Sequence, residues 1–148
     1  DELMAIIALL RDHEGMDEHK DVLGRILNRL MTCASILASD CTDCGVRVPT
    51  LSDDNVKELE AAIDRMDSEL EPLKSFVIPG GHPSVSLCHV ARTVCRRVER
   101  KVISLNEKET IPQSPIIYLN RLSDFLFTLS RFVAKKMGFE QIPWFPNV

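Results

Sequence analysis

No stretch of the 148 residues approaches the ~20 consecutive apolar side chains that a membrane-spanning helix requires. No secretory leader, with its basic start, apolar middle and small-residue end, stands at the front of the chain, which begins at Asp1. The strict alternation of a half-buried strand is missing, and so is any internal repeat. Aromatic residues make up only 5% of the chain, and none stands among the arginines at positions 92–100. That removes the stacking surface that single-stranded nucleic-acid binders use, and a net charge of −4 is the wrong sign for a phosphate-backbone binder. The cysteines, at 33, 41, 44, 88 and 95, are odd in number and lie scattered, most of them in apolar stretches. Such usage fits a reducing compartment, where free cysteine is a small hydrophobe. A cytoplasmic location is therefore expected, with an organellar presequence upstream of Asp1 left open. Cys41-x-x-Cys44 has the spacing of half a zinc site, but the other half is lacking: Cys33 lies eight residues upstream and the four histidines are dispersed. No metal ligands are expected, and Cys41 and Cys44 read as incidental loop thiols.

What is present is helical periodicity. Leu3, Ile6, Ile7 and Leu10 share one face of a first helix, which Gly15 and the polar run 12–19 bring to an end. Val22, Leu23, Ile26, Leu27, Leu30, Cys33, Ala34 and Leu37 mark a long second helix. A turn-rich stretch, 39–52, breaks it. Ser52 or Asp53 caps a third, whose Val56, Leu59, Ile63, Met66 and Leu70 carry it towards Pro72. Pro79-Gly80-Gly81 stops any helix, and Pro83 suits the first turn of a fourth, running to about Leu105. A fifth spans about Ser114 to Met137, and the tail from Gly138 reads as irregular. Residues 1–148 are expected to form a single domain, an all-α up-and-down bundle of five helices.

The fourth helix is chemically unusual. Between Ser86 and Leu105 stand five Lys/Arg and one acid, whereas the rest of the chain carries 13 Lys/Arg against 21 Asp/Glu. At about 100° per residue, Leu87, Ala91, Val94, Val98, Val102 and Leu105 form a core stripe. Arg92, Arg96, Glu99 and Arg100 form a separate polar stripe, and Arg97 and Lys101 fall beyond it. Arg92 and Arg96 repel one another unless an anion compensates, and guanidinium groups bind phosphate bidentately. A solvated cationic face is the plainer reading. The fifth helix sets Asn120, Asp124 and Arg131 beside Leu119, Leu122, Phe125, Leu126 and Leu129, where the polar groups need partners, arginines of the fourth helix among the candidates. His82 lies near the glycine turn, and His89 is placed on the helix side away from Arg92, as a packing or exposed residue.

The stretches "FVIPGGHPSVSLCHVARTVCRRVERKV" and "YLNRLSDFLFTLSRF" closely resemble the PduO-type ATP:cob(I)alamin adenosyltransferases. The resemblance rests on a Phe-x-x-Pro-Gly-Gly turn, an Ala-Arg-x-x-x-Arg-Arg-x-Glu-Arg helix and a later Leu-Asn-Arg-Leu-Ser-Asp-x-Leu-Phe. It covers residues 76–131 well, and the opening Asp-Glu-Leu more weakly. It implies a five-helix bundle, a homotrimer with active sites between subunits, and transfer of the 5′-deoxyadenosyl group of ATP, with Mg²⁺, to the cobalt of reduced cobalamin with release of triphosphate. By the same resemblance Arg96, Arg97, Glu99, Arg100 and Asn120 lie in the ATP-binding stretch. Arg96 is then expected on the triphosphate, Asn120 on the nucleoside, and Glu99 orienting an arginine or Mg²⁺. Arg92 would pair with Asp1 across subunits, and Phe76 would press on the lower face of the corrin and displace its axial ligand, leaving no place for a cobalt-ligating histidine. Trp144 and Phe145 would cover the corrin or pack on the bundle. A cobalt reductase and an adenosylcobalamin-dependent enzyme are the implied partners. Two departures stand out: the family's Thr-Gly-Asp-x-Gly-x-Thr nucleotide loop does not occur in these residues, and Met4 stands where many relatives have Asn. A catalytically weak module that binds or delivers adenosylcobalamin is the alternative reading.

Overall fold

A computed structural model describes residues 1–39, 47 and 49–146. Cys41 and Cys44 lie outside the described residues. Five helices appear where the periodicity places them: α1 (Glu2–Arg11), α2 (Lys20–Ala38), α3 (Asp53–Asp67), α4 (Pro83–Asn106) and α5 (Ser114–Lys136), with a short 3₁₀ turn at Asp17–His19 before α2.

Local chemistry sets the helix ends. Ser52 precedes α3 with its N–H donated to Asn55 Oδ1 at 3.0 Å, satisfying a donor that the first turn leaves free. Pro83 opens α4, and the Ser84 N–H is taken up by His82 Nδ1 at 3.2 Å. Ser84 is fully buried. Its hydroxyl donates to the Glu14 carbonyl at 2.7 Å and accepts from His13 Nδ1 at 2.9 Å, which ties the turn after α1 to the head of α4. The helix α3 stops at Asp67, short of the Pro72 that the pattern suggested; Leu70 still packs against the core from a turn.

Helix α5 is the axis of the bundle and packs on α4 and α3, while α1 packs on α4 and α2. Its Tyr118, Leu119, Leu122, Phe125, Leu126 and Leu129 are essentially sealed from solvent. Each such side chain contributes about 1.5–3 kcal/mol relative to exposure, so this one element anchors the core. Among the described residues no helix is long and apolar enough to cross a membrane.

The tail corrects the sequence reading. Ile142–Trp144 (β2) pairs antiparallel with Phe76–Ile78 (β1), matching Phe76 with Trp144, Val77 with Pro143 and Ile78 with Ile142. Three-residue strands carry too little alternation to register as a pattern, and their partners are far apart in sequence. Pro79 favours extended backbone at Ile78. Gly81, at φ +94°, then turns the chain into α4 in a conformation that side chains resist.

Candidate active site

Where the ribbon leans on α4 and α5, a pocket of about 440 Å³ opens. Phe76 and Val77 of β1 form one wall, with His89, Arg92 and Arg96 of α4 opposite and Ser123, Asp124 and Phe127 of α5 completing it. The two groups on which the sequence reading turned, the ring at 76 and the guanidinium at 96, therefore meet in one cavity.

The pocket sets a largely apolar wall against the two cationic groups Arg92 and Arg96. Phe76 is 79% exposed, a large uncovered apolar surface for a residue placed in a strand. Its ring stands edge-on to Trp144, with centroids 6.1 Å apart. The Arg92 guanidinium lies over the Phe127 ring at 5.9 Å, and its buried Nε has no hydrogen-bond partner among the described residues. Burial first, and the neighbouring Arg96 second, lower the pKa of Arg92. An arginine stripe left uncompensated in this way is suited to an anion supplied from outside the chain.

His89 corrects the wheel reading. It lies one turn before Arg92, and residues three apart on a helix share a face. The side chain is buried, its ring 6.2 Å from Phe127, and its Nδ1 has no partner among the described residues. Burial, and secondarily Arg92, lower its pKa below 6.5, so it is held neutral. Phe127, the last residue of the Leu-Ser-Asp-x-Leu-Phe motif, and Ser123 were assigned no role from sequence; their place in that motif was the available signal.

Other expected site residues lie around the pocket rather than in it. Glu99, grouped with the arginines by its helical angle, is buried, because α4 is covered by both α1 and α5 and its hidden arc is wider than one stripe. It accepts from Asn120 Nδ2 at 2.8 Å. Asn120 thus pairs with a carboxylate of α4, and Asp124 with Arg121 of its own helix at 2.9 Å, so neither takes an arginine of α4. Arg97 is paired with Glu2 of α1. Arg100 is exposed, and so is Asp1, whose carbonyl accepts the Ala5 N–H. Asp1 and Arg92 do not meet within one chain; the expected pair is one between subunits. Arg131 donates to the Glu71 carbonyl at 2.6 Å and fastens the segment that leads into β1.

The sequence profile of the family described as Cobalamin adenosyltransferase matches residues 1–133. The chain belongs to the cobalamin adenosyltransferase family. It is 34% identical over 97% of its length to a corrinoid adenosyltransferase of Bacillus subtilis, of which it covers 75%. With the corrinoid adenosyltransferase PduO of Salmonella typhimurium it shares 37% identity over 88% of its length, and spans only 39% of that protein. Among solved structures, a variant of the PduO-type ATP:corrinoid adenosyltransferase from Lactobacillus reuteri, complexed with cobalamin and ATP, superposes with a TM-score of 0.90 at 28% identity. That match covers 99% of this chain and 82% of the other. The five-helix bundle is thus the fold of this cobalamin adenosyltransferase family member.

Proposed function

We propose that the protein transfers the 5′-deoxyadenosyl group of ATP to the cobalt of a reduced corrinoid. The observation that carries this reading is the junction of an exposed aromatic ring, Phe76, with the arginines at 92 and 96 in one pocket. In the reaction Co(I) supplies an electron pair to C5′ of the ribose, the C5′–O bond breaks, and that pair leaves with the triphosphate. Cobalt ends as Co(III), and the developing polyphosphate charge must be met by fixed cations. Arg96, in the pocket and without an ion pair among the described residues, takes that role on the triphosphate. Phe76 supplies an apolar surface to one face of the corrin, excludes water and keeps an axial ligand from that face. Low coordination number makes Co(I) easier to reach.

The described residues hold no cluster of three or more His, Cys, Asp or Glu, so they offer Mg²⁺ no cage of their own. An ion that retains waters and is carried on substrate phosphates fits such a site, and Asp124 is the carboxylate nearest to hand in the pocket. When bound, Mg²⁺ adds to the neutralisation of the triphosphate. Assembly as a homotrimer with sites between subunits, Arg92 pairing there with Asp1, belongs to the same proposal. The unsatisfied Nε of Arg92 favours a partner from outside the chain.

The test is direct. The full-length protein, incubated with ATP, Mg²⁺ and chemically reduced cobalamin, is expected to give a light-sensitive adenosylated product and free triphosphate. Failure to form product with several reductants overturns the reading, and corrinoid binding without turnover selects a binding or delivery role instead.

A further inference from the structure

Glu99 is 8% exposed, yet no lysine or arginine of the described residues pairs with it. Among the described residues its one hydrogen-bond partner is the amide of Asn120, at 2.8 Å. A carboxylate only accepts, so it decides which way that amide faces. Nδ2 must point at Glu99, because turning the amide over would set two oxygens against each other. The Asn120 carbonyl oxygen is thereby turned away from Glu99. It receives no hydrogen bond from the described residues, and Asn120 itself is exposed beside the pocket, one turn before Ser123 and Asp124. The residue does not drift: its backbone sits inside α5, where its main-chain oxygen accepts from Ser123 Oγ at 2.8 Å.

We infer that Glu99 is a positioning residue, which locks the Asn120 side chain so that its carbonyl oxygen accepts a hydrogen bond from a donor on the nucleoside. This rests on the reading of the α4–α5 face as the ATP site. Two donors share the needed chemistry, the exocyclic amine of adenine and a ribose hydroxyl. A locked acceptor rejects an analogue that lacks the donor, and rejects more strongly one that presents an oxygen in its place. A freely turning amide discriminates far less.

The experiment compares wild type, Glu99→Gln, Asn120→Ala and the double variant in the full-length protein. Each is tested with ATP, ITP (an oxygen for the amine), 2′-deoxyATP and 3′-deoxyATP, with binding measured by calorimetry alongside KM and kcat. The glutamine keeps the shape of Glu99 but presents either a donor or an acceptor, so Asn120 is released. Glu99→Gln is expected to raise KM for ATP about tenfold and to change kcat by less than about threefold, with the preference for ATP over the discriminated analogue largely lost. Loss against ITP identifies the base amine as the donor; loss against a deoxy analogue identifies the sugar. In the Asn120→Ala background the Glu99 change is expected to cost less than about twofold, since its route of action is gone. An unchanged KM and unchanged preference in Glu99→Gln overturns the inference, as does an equal effect with and without Asn120, or a fall confined to kcat. If the wild type neither binds nor consumes ATP, the functional reading falls with it; if the wild type does both, only the role of Glu99 is at stake.

Discussion

Phe76 and Trp144 stand opposite each other across the two-stranded ribbon, their rings in edge contact with centroids 6.1 Å apart, while Phe76 keeps 79% of its surface open. The pairing places an aromatic side chain at the mouth of the pocket without burying it. Replacing Phe76 with Ala removes little packed surface, so the unfolding free energy is expected to move by less than about 1 kcal/mol. Corrinoid turnover is expected to fall by roughly tenfold or more, equivalent to about 1.4 kcal/mol per decade, with the KM for ATP nearly unchanged. Steady-state kinetics with each substrate varied in turn checks this.

Arg96→Ala is expected to act on the other substrate. Loss of a charged donor to the leaving polyphosphate costs about 2.7–4 kcal/mol of transition-state stabilisation, a fall of roughly 10²–10³ in rate. Arg96→Lys is expected to recover only part of it, since an ammonium lacks the bidentate fork. Single-turnover rates and ATP affinity separate the two effects.

The pH dependence of stability follows from two histidines. Burial holds both His19 and His89 below their ordinary 6.5, aided in His89 by Arg92. Between the lowered values and 6.5 the unfolded chain binds more protons than the folded one. Stability therefore rises with pH through that window, and is lost as pH falls from 7 towards 5. Denaturant midpoints measured across that range are expected to decline towards acid, and to decline less in a His19→Gln, His89→Gln variant.

Cys33 and Cys95 are buried with their thiols pushed up to about 12, chiefly by burial, and Cys88 likewise. At neutral pH the thiolate needed for alkylation is nearly absent. Peptide mapping after iodoacetamide treatment is expected to find these three unmodified in the native protein and fully modified after unfolding.

Leu122 lies at the centre of α5 with no exposed surface. Leu122→Ala is expected to cost about 2–5 kcal/mol through lost burial and the cavity left behind. Equilibrium denaturation measures it, and a value under 1 kcal/mol would place the core elsewhere.

The five helices were legible because their apolar spacing, caps and prolines are local signals, each readable within a dozen residues. Arg92 and Arg96 stood out by the same local spacing, and Phe76 only through the family resemblance that the long motifs carry. His89 was misplaced by an error of helical angle. The strands were missed because neither has a pattern of its own, and β2 exists only through its ladder with β1. Glu99 looked like one more polar group among arginines, since a wheel assumes a single buried stripe and α4 has neighbours on two sides.

Composition and periodicity thus determined an all-helical bundle with a cationic fourth rod, because side-chain spacing along a helix is fixed by backbone geometry. The tertiary structure alone decided that the tail folds back onto Phe76, that Phe127 joins the arginines' pocket, and that Glu99 turns inward to hold Asn120. Those are contacts between residues distant in the chain, set by which surfaces the packed helices leave open, and no local pattern encodes them.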